Sequence, residues 1–410
     1  QAQMLKINPF KFPEGIHVLE HIDRLVEIFN VCWPMYAAMP AVLKDAMLEA
    51  YKTSGWDLDT SCNLFGKALF PTFTDLLTQL EKVIQQSAFS EEVKSNYIDS
   101  LVTRVKSLTN GLNGQIFASN EIDNAQLFDS NVIVDLSRIG SQETKSLIMG
   151  ILVMRLSEHR MSDATGMNQP LKHVTVLEEA HNILKRTSTE QSSESSNVAG
   201  KAVEMLSNAI AQMRTYGEGF IIADQSPSAV DISAIRNTNT KIIMRLPDET
   251  DRRLAGKAAG VTDEQLEEIA KLPKVVAVVY QNDWLEPVLC KIHHFGEEEK
   301  PYQYEPQNQL SDEKKAFHQH IADLLFSQKT KKQLDLVEIS KSIEQSKLGV
   351  EYKNYFLEVV SRLAQNSIPP VLEKDDTYLV DLYQRIIQQQ IELVQEDLSV
   401  ELQQHLANIS

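Results

Sequence analysis

Two consecutive carboxylates follow a short apolar run near the middle of the chain, and this position suits phosphate chemistry. Residues 174–177 have the composition of a buried strand, and Glu178 and Glu179 come directly after them. At a strand end, one carboxylate can hold a magnesium ion while the next activates water as a general base, the combination that ATP hydrolysis needs. A solvated acid pair at the start of a helix would have the same sequence, because the helix dipole favours negative charge there. The two residues alone leave both interpretations open.

Two further side chains occupy positions from which they can contact a phosphate. The apolar run 220–223 ends close to Gln225, before Pro227 breaks the pattern. A neutral amide there can hydrogen-bond a terminal phosphate without adding charge, or it can simply cap a turn. Arg214 falls in the last turn of a predicted helix that Gly217 terminates. A cation is favoured at that end by the helix dipole, so a structural role fits Arg214 as well.

Alternating apolar runs and helices predict the α/β fold that would position these side chains. Helical periodicity covers residues 142–161 and 199–216. Short, β-rich runs of the kind found in parallel strands buried on both faces lie at 132–134, 174–177, 220–223, 241–244 and 275–280. This alternation predicts a doubly wound, mostly parallel sheet with helices on both faces.

The rest of the sequence is predicted to be helical. We expect the start of the catalytic core at 1–17, a helical insert at 18–130, the core itself at 131–295 and a helical C-terminal extension at 296–410. The stretch 187–197 contains no apolar residue and predicts a surface loop. In the extension, amphipathic segments at 313–326, 355–363 and 378–398 predict helices that pack on the core or on a neighbouring subunit. A partly disordered extension is the alternative.

Composition limits the class of protein. Of the 410 residues, 42% are apolar, which suffices for a sizeable core, and no apolar run is long enough to span a bilayer. Three cysteines without a C-x-x-C pair fit a reducing compartment and argue against zinc. The net charge of -17 disfavours a protein that coats nucleic acid over its whole surface, but not an acidic ring with a basic pore. We expect a soluble, cytoplasmic protein and, since the chain begins with Gln1, an internal fragment.

Taken together and in this order, several segments resemble the HerA/FtsK superfamily of ring-forming, DNA-pumping ATPases, and its HerA branch in particular. The resemblance extends from about Ile7 to Ile292. Its most specific segments are Asn-Pro-Phe at 8–10, Val-Asp-Leu-Ser at 134–137, Leu-Glu-Glu-Ala-His at 177–181, Met-Arg-Thr-Tyr-Gly at 213–217, Ala-Asp-Gln-Ser-Pro at 223–227 and Asn-Thr-Asn-Thr-Lys-Ile-Ile at 237–243. The fold that it implies is a RecA-like, P-loop-type α/β sheet with a helical insert and a helical C-terminal extension.

The resemblance also implies roles for the residues that match the family's segments. Glu178 resembles the acid on the magnesium side and Glu179 the catalytic base. Gln225 resembles the sensor of the γ-phosphate, and Arg214 looks like an arginine finger that reaches the nucleotide of a neighbouring subunit. Such a finger neutralises charge in the transition state, which is why the family works as a ring, usually a hexamer.

Further expectations follow from the same resemblance. Asn239 and Arg245, around the next strand, are candidates for contacts with the nucleotide. ATP and Mg²⁺ are the implied cofactors. Double-stranded DNA is the implied polymer, a nuclease or other effector is the implied partner, and no membrane is involved. Because no stripe of basic and aromatic residues marks a DNA contact, the sequence does not place pore loops.

The sequence departs from the family at the phosphate-binding loop. The pattern G-x-x-x-x-G-K-[ST] is absent, since the Gly-Lys pairs at 66–67, 200–201 and 256–257 lack both the earlier glycine and the following Ser or Thr. Without this loop, backbone N–H groups cannot cradle the phosphates and no lysine bridges them. In the family the loop lies upstream of the Asn-Pro-Phe segment, so we expect it, and an N-terminal β-barrel, before residue 1.

Two other functions remain compatible with the sequence. One is a catalytically idle ring that assembles a partner protein, although intact Glu178, Glu179, Arg214 and Gln225 count against it. The other is a secretion-type ATPase of the same superfamily, which would export protein at a membrane machine.

Overall fold

The computed structural model describes most of the chain in several stretches. They are residues 4–64, 69–118, 121–164, 166–186, 194–293, 312–325, 334–346 and 350–365. Seven strands lie within them: β1 Trp56–Asp57, β2 Cys62–Asn63, β3 His173–Glu178, β4 Glu218–Ala223, β5 Thr240–Ile243, β6 Val276–Gln281 and β7 Val288–Lys291. Within the same stretches, no helix has the length and the apolar character that crossing a membrane requires.

The helices fall into three successive groups. Before β3 they are α1 Val18–Cys32, α2 Met39–Thr53, α3 Phe73–Gln86, α4 Glu91–Tyr97, a π-helical turn Ile98–Val102, α5 Thr103–Thr109, α6 Gly111–Ile116, α7 Asn124–Phe128 and α8 Gln142–Ser162. Among the strands lie α9 Glu194–Met213, α10 Ile232–Asn237, α11 Glu249–Ala258 and α12 Asp263–Ile269, with 3-10 turns at Ala180–Asn182, Arg214–Tyr216 and Pro227–Ala229. After β7 come α13 Asp312–Leu325, α14 Leu336–Glu344 and α15 Val350–Ala364.

Strands β3 and β4 form the parallel pair that the sequence predicts. They pair in register from His173 opposite Glu218 to Glu178 opposite Ala223. One face carries Leu177, which is buried against the helices. The prediction of burial on both faces is wrong for this pair, because Val176 is 55% exposed and faces the same side as other exposed aliphatic residues. The apolar residues of β3 and β4 are suited to burial on both faces of the pair. The described residues cover only the face that carries Leu177.

The other predicted strands behave differently. β5, β6 and β7 form a separate, antiparallel three-stranded sheet, so the expectation of parallel pairing for the runs at 241–244 and 275–280 is wrong. A short connection joins β6 to β7, and such a hairpin can only be antiparallel. The run at 132–134 forms no strand, and Ile133 is 95% exposed. A strand needs a hydrogen-bonded neighbour, and none of the described residues pairs with this run.

Helix α9 packs against β4, helices α1, α8 and α9 pack on one another, and all three share one hydrophobic core with the covered face of the parallel pair. Ser141 caps α8 by accepting a hydrogen bond from the backbone N–H of Thr144. Gly150 lets α8 approach α1, since a Cβ at this glycine would lie 2.7 Å from Ile28 Cγ2. Because close-packed interiors do not yield easily, this contact fixes the separation of the two helices.

A buried carboxylate fixes the amino-terminal end of the parallel pair. Glu218, the first residue of β4, accepts hydrogen bonds from Arg160 Nε of α8 at 2.8 Å, from His173 Nδ1 at 2.8 Å and from Thr175 Oγ1 at 2.7 Å. A buried charge of this kind is tolerated only when it is paired and hydrogen-bonded. The cluster therefore ties β3, β4 and α8 together at the end of the sheet away from the two glutamates.

The helices after β7 pack on one another around a small hydrophobic cluster that includes Ile321, Ile339 and Phe356. α13 and α15 occur where the sequence predicts helices at 313–326 and 355–363, and the predicted helix at 378–398 lies outside the described residues. A backbone hydrogen bond from Val350 to Asp75 Oδ1, 3.0 Å long, joins this group to α3. At least these three helices therefore pack as folded elements.

Lys353 of α15 is buried at the same junction. Its Nζ donates a hydrogen bond to the carbonyl oxygen of Glu344 at 3.0 Å. Burial lowers the pKa of Lys353 to about 8, and the carboxylates of Asp75 and Glu344 offset only part of that effect. Folding therefore places a titratable charge where water cannot solvate it.

Raising the pH from about 8 to 10.5 should stabilise this region. Below pH 8 the lysine is charged in both states, so its burial opposes folding. Between the folded pKa and the ordinary value, the unfolded chain holds a proton that the folded chain has released, so stability rises with pH. The whole difference amounts to roughly 3 kcal/mol. Denaturant titrations across this range check it, and Lys353→Met should remove the increment; an equal rise in both proteins would contradict this account.

Candidate active site

The ends of β3 and β4 bring the predicted chemical residues to one edge of the sheet. Because the strands are parallel and Glu178 pairs with Ala223, the carboxyl end of β3 lies beside that of β4. Glu178 and Glu179 therefore neighbour the segment that holds Gln225, and these three residues are exposed. Open α/β sheets bind their ligands at this edge. Within the described residues, no hydrogen bond or ion pair engages the side chain of Glu178 or Gln225.

Glu179 has an unusual backbone conformation. Its φ of 50° and ψ of 49° place a residue that is not glycine in the left-handed region. Such a conformation costs roughly 1 kcal/mol and persists only where the surroundings fix it. Asn182 helps to fix it: its backbone N–H donates to the carbonyl oxygen of Glu179 at 2.9 Å, and its side-chain amide lies 3.5 Å from Glu179 Oε2. The extended backbone of β3 therefore ends at Glu178, and Glu179 begins a left-handed turn.

A histidine–aspartate pair joins the two strand ends, and sequence reasoning assigned it no role. Asp224 Oδ2 accepts hydrogen bonds from the backbone N–H of His181 at 2.9 Å and from its ring Nδ1 at 2.8 Å. Although burial alone would raise the pKa of Asp224, hydrogen bonds from Ser226 and His181 lower it below its ordinary value. Both residues belong to segments that the resemblance singled out, but only the fold shows that they touch.

The segments that follow β3 and β4 also remain in contact. Lys185 and Val230 form an isolated antiparallel bridge, and the backbone N–H of Asp231 donates to the carbonyl oxygen of Leu184 at 2.7 Å. The backbone N–H of Ser228 donates to a carboxylate oxygen of α11 at 2.8 Å. The segment after Gln225 is therefore linked both to the chain beyond Glu179 and to helix α11.

Arg214 lies at the opposite end of β4. It opens the 3-10 turn that follows α9, and Gly217 ends that turn with a φ of 90°, as the sequence predicts. A side chain at Gly217 could not be accommodated, because its Cβ would lie 2.4 Å from the carbonyl oxygen of Pro170. The six residues of β4 separate Arg214 from the glutamate edge by about 17 Å. Arg214 is exposed, and no partner among the described residues engages its guanidinium.

Asn239 and Arg245 flank β5 and are exposed. The carbonyl oxygen of Asn239 accepts a hydrogen bond from the backbone N–H of Asn282 at 3.1 Å, which closes the start of the second sheet. Their position in the antiparallel sheet, outside the β3–β4 ladder, is not one that the sequence predicts.

The described Gly-Lys pairs are not phosphate loops. Lys201 lies within α9, and Gly256 lies within α11, where a Cβ would come 2.3 Å from Leu266 Cδ2 of α12. Gly256 therefore allows α11 and α12 to pack closely where they cross. The pair at 66–67 falls outside the described residues.

Another group of potential metal ligands lies at the far end of α8. Ligand atoms of Asp129, His159 and Asp163 lie within 4.8 Å of one another. His159 Nε2 contacts the two carboxylates at 2.9 and 3.4 Å, and Asp129 is also paired with Arg160. These direct pairings account for the group as an ionic cluster without a metal ion.

Comparison with curated proteins finds a relative that is similar to part of this chain. The chain is 24% identical over 182 residues to the DNA double-strand break repair helicase HerA of Sulfurisphaera tokodaii, and the alignment covers 43% of this chain and 34% of that protein. The chain thus spans about a third of the length of this curated relative. No protein-family model matches the chain.

Solved structures also resemble it. VirB4 of Thermoanaerobacter pseudethanolicus matches with a TM-score of 0.51 and 16% identity, over 71% of this chain and 74% of that chain. The bacterial conjugative coupling protein TrwB has a TM-score of 0.41 and 13% identity, over 70% of this chain and 73% of that chain. The resemblance inferred from the sequence is confirmed to this extent: the chain is similar to a HerA protein over part of its length, and it shares the expected RecA-like α/β fold with VirB4.

Proposed function

We propose that this chain carries the acidic half of an ATPase site in a ring-shaped motor that moves double-stranded DNA. The observation that carries the proposal is the shared edge at which Glu178 ends β3, Glu179 follows it, and Gln225 follows β4. Two exposed carboxylates beside a neutral amide suit a magnesium–triphosphate ligand, because the metal offsets the negative charge.

Each side chain then has a distinct task. Glu178 continues the strand and holds the magnesium ion, directly or through water. Glu179 follows the strand in a left-handed backbone conformation and takes a proton from the attacking water. Gln225 hydrogen-bonds the γ-phosphate and reports its loss to the segment that contacts α11. ATP and Mg²⁺ are therefore the expected ligands, and phosphoanhydride hydrolysis is the reaction.

The position of Arg214 supports assembly into a ring. Arg214 is about 17 Å from the glutamate edge of its own chain, too far for its guanidinium to reach a phosphate bound there. It is exposed at the other end of the sheet, where a neighbouring subunit can present its own glutamate edge. Repeating this head-to-tail contact closes a ring, for which a hexamer is the expected number.

The proposal requires a phosphate-binding loop, whose pattern is absent from these residues. The exposed apolar side of β3 and β4, which includes Val176 and Ile221, offers a surface for further strand and helix structure beside the site. We expect the loop to reach the edge from there, and Asn239 and Arg245 to make at most peripheral contacts with the nucleotide.

DNA is the favoured polymer because the sequence relative is by name a DNA repair helicase. A motor that moves along duplex DNA displaces a third strand bound to that duplex, so the protein as its gene encodes it should release the third strand only with ATP and Mg²⁺. Glu179→Gln serves as the control that binds nucleotide and DNA but does not translocate along the duplex. Absence of release despite DNA-dependent hydrolysis would contradict translocation.

The same assay separates the rival functions. An idle scaffold would hydrolyse no ATP with or without DNA. A secretion-type ATPase would hydrolyse ATP without dependence on duplex DNA and would copurify with membranes, whereas a cytoplasmic DNA motor would copurify with a nuclease or another effector. The likeness to VirB4 shows the fold alone, so the choice rests on these measurements.

A further inference from the structure

The His181–Asp224 pair uses a whole carboxylate to join two strand ends. One oxygen of Asp224 accepts both the backbone N–H and the ring Nδ1–H of His181, at 2.9 and 2.8 Å. The other oxygen accepts the backbone N–H of Ser226 at 2.9 Å. The side chain of Asp224 is 6% exposed and that of His181 is 39% exposed, so the carboxylate side of these contacts is shielded from water while the imidazole remains partly solvated.

The two candidate site residues Glu179 and Gln225 lie close in sequence to the members of the His181–Asp224 pair. Glu179 precedes His181 by two residues and keeps a left-handed backbone that needs support from both sides. The β3–β4 ladder supplies one side up to Glu178, and the anchored His181 supplies the other. Gln225 lies between Asp224, which carries the carboxylate, and Ser226, whose backbone N–H donates to it.

We propose that His181 is a positioning residue, which through Asp224 makes the base Glu179 and the sensor Gln225 move as one unit. The inference rests on the proposed hydrolytic function and adds a residue to it. Hydrolysis changes the ligand that Gln225 contacts, so a rigid link from Gln225 to Glu179 would retract the base as the phosphate leaves. Without the link, the base would lose its alignment even though nucleotide still binds.

The geometry also fixes which ring nitrogen of His181 carries a proton. A carboxylate only accepts hydrogen bonds, so Nδ1 must be the donor to Asp224. An asparagine side chain offers an N–H donor at nearly the same position, whereas leucine offers none. His181→Asn should therefore keep the link, and His181→Leu should break it.

His173, the first residue of β3, provides a matched control at the other end of the strand that precedes His181. Its Nδ1 also contacts a buried carboxylate, Glu218, at 2.8 Å, but at the end of β3 away from the site. In the protein as its gene encodes it, His181→Leu should lower kcat roughly 10–100-fold with little change in KM for ATP, while His181→Asn recovers most of it. His173→Leu should leave kcat near the wild-type value. Equal losses in the two leucine variants, or no rescue by asparagine, would overturn the proposal.

A double-mutant cycle tests the link to the sensor. If His181 acts by joining the two strand ends, His181→Leu should cost much less in a Gln225→Ala background than in the wild type. Multiplicative, independent losses would show that His181 supports Glu179 alone and would overturn the coupling. Circular dichroism confirms folding, and if His181→Leu does not fold, Asp224→Asn takes its place in the cycle.

One measurement is independent of hydrolysis. Long-range ¹H–¹⁵N correlation spectra of this chain should show the ring proton of His181 on Nδ1. In Asp224→Asn the proton should no longer favour Nδ1 over Nε2. A proton on Nε2 alone would overturn the pairing whatever the activity. If instead the wild-type protein hydrolyses no ATP while His181 is protonated on Nδ1, the proposed function fails and the link remains as a structural contact without a catalytic role.

Discussion

Replacing Glu179 with glutamine should leave nucleotide bound and slow ATP hydrolysis by roughly 10²–10⁴-fold. The amide has nearly the shape of the carboxylate, so binding and folding should persist, but it cannot take a proton from water. The effect should be large because Glu179 is held in a left-handed turn at the strand end and no second carboxylate occupies that turn. Steady-state hydrolysis and binding of a fluorescent nucleotide, measured on the protein as its gene encodes it, check the two halves of the prediction.

Glu264→Gln is a suitable control for that experiment, since Glu264 is an exposed glutamate at the start of α12, outside the parallel pair. It makes the same chemical change and should leave turnover unchanged. Near-normal turnover in Glu179→Gln would remove Glu179 from the site. Glu178→Ala should differ from both variants, because it should weaken the dependence on magnesium as well as the rate.

Mixing two inactive variants should restore activity if Arg214 acts across a subunit boundary. Arg214→Ala subunits keep Glu179, and Glu179→Gln subunits keep Arg214, so an interface between the two kinds can contain one intact site. With equal amounts and random assembly, roughly a quarter of the sites in head-to-tail rings should be intact. An arginine that acts within its own chain would give no rescue, because no subunit in the mixture carries both residues.

The control for that mixture is an exposed arginine that lies outside the proposed site. Arg253 is exposed on α11 and pairs with Glu249 at 2.9 Å on the same helix. Arg253→Ala should hydrolyse ATP normally alone and should not change the yield of mixed rings. Mass spectrometry verifies that mixed rings form, and their complete inactivity would assign Arg214 a structural role.

The positions of the candidate residues in the local fold were largely predictable from sequence, since each is marked by a short-range signal, while their chemical roles remain predictions. A buried strand followed by Glu178 and Glu179, and another followed by Gln225, places both ends at one sheet edge once the strands are parallel, and they are. Gly217 predicts the end of the turn after Arg214 because its left-handed φ excludes other residues.

Long-range geometry was not predictable in the same way. An apolar run such as 241–244 has no signal for strand direction, so its antiparallel pairing appears only with β6 and β7 in place. The contact of His181 with Asp224 joins residues 43 positions apart and depends on the register of β3 and β4. Likewise, the helix predicted from residue 199 begins at Glu194, because a nucleated helix extends at low cost through polar residues.

The most direct test of the central claim is a structure of the assembled protein with magnesium and a transition-state analogue of ATP. We expect the metal near Glu178, the attacking water within hydrogen-bonding distance of Glu179, the amide of Gln225 on the phosphate mimic, and Arg214 of the adjacent subunit at the same ligand. Nucleotide bound elsewhere, or bound at this edge with Glu179 turned away from the phosphate and no arginine from a neighbour, would contradict the account.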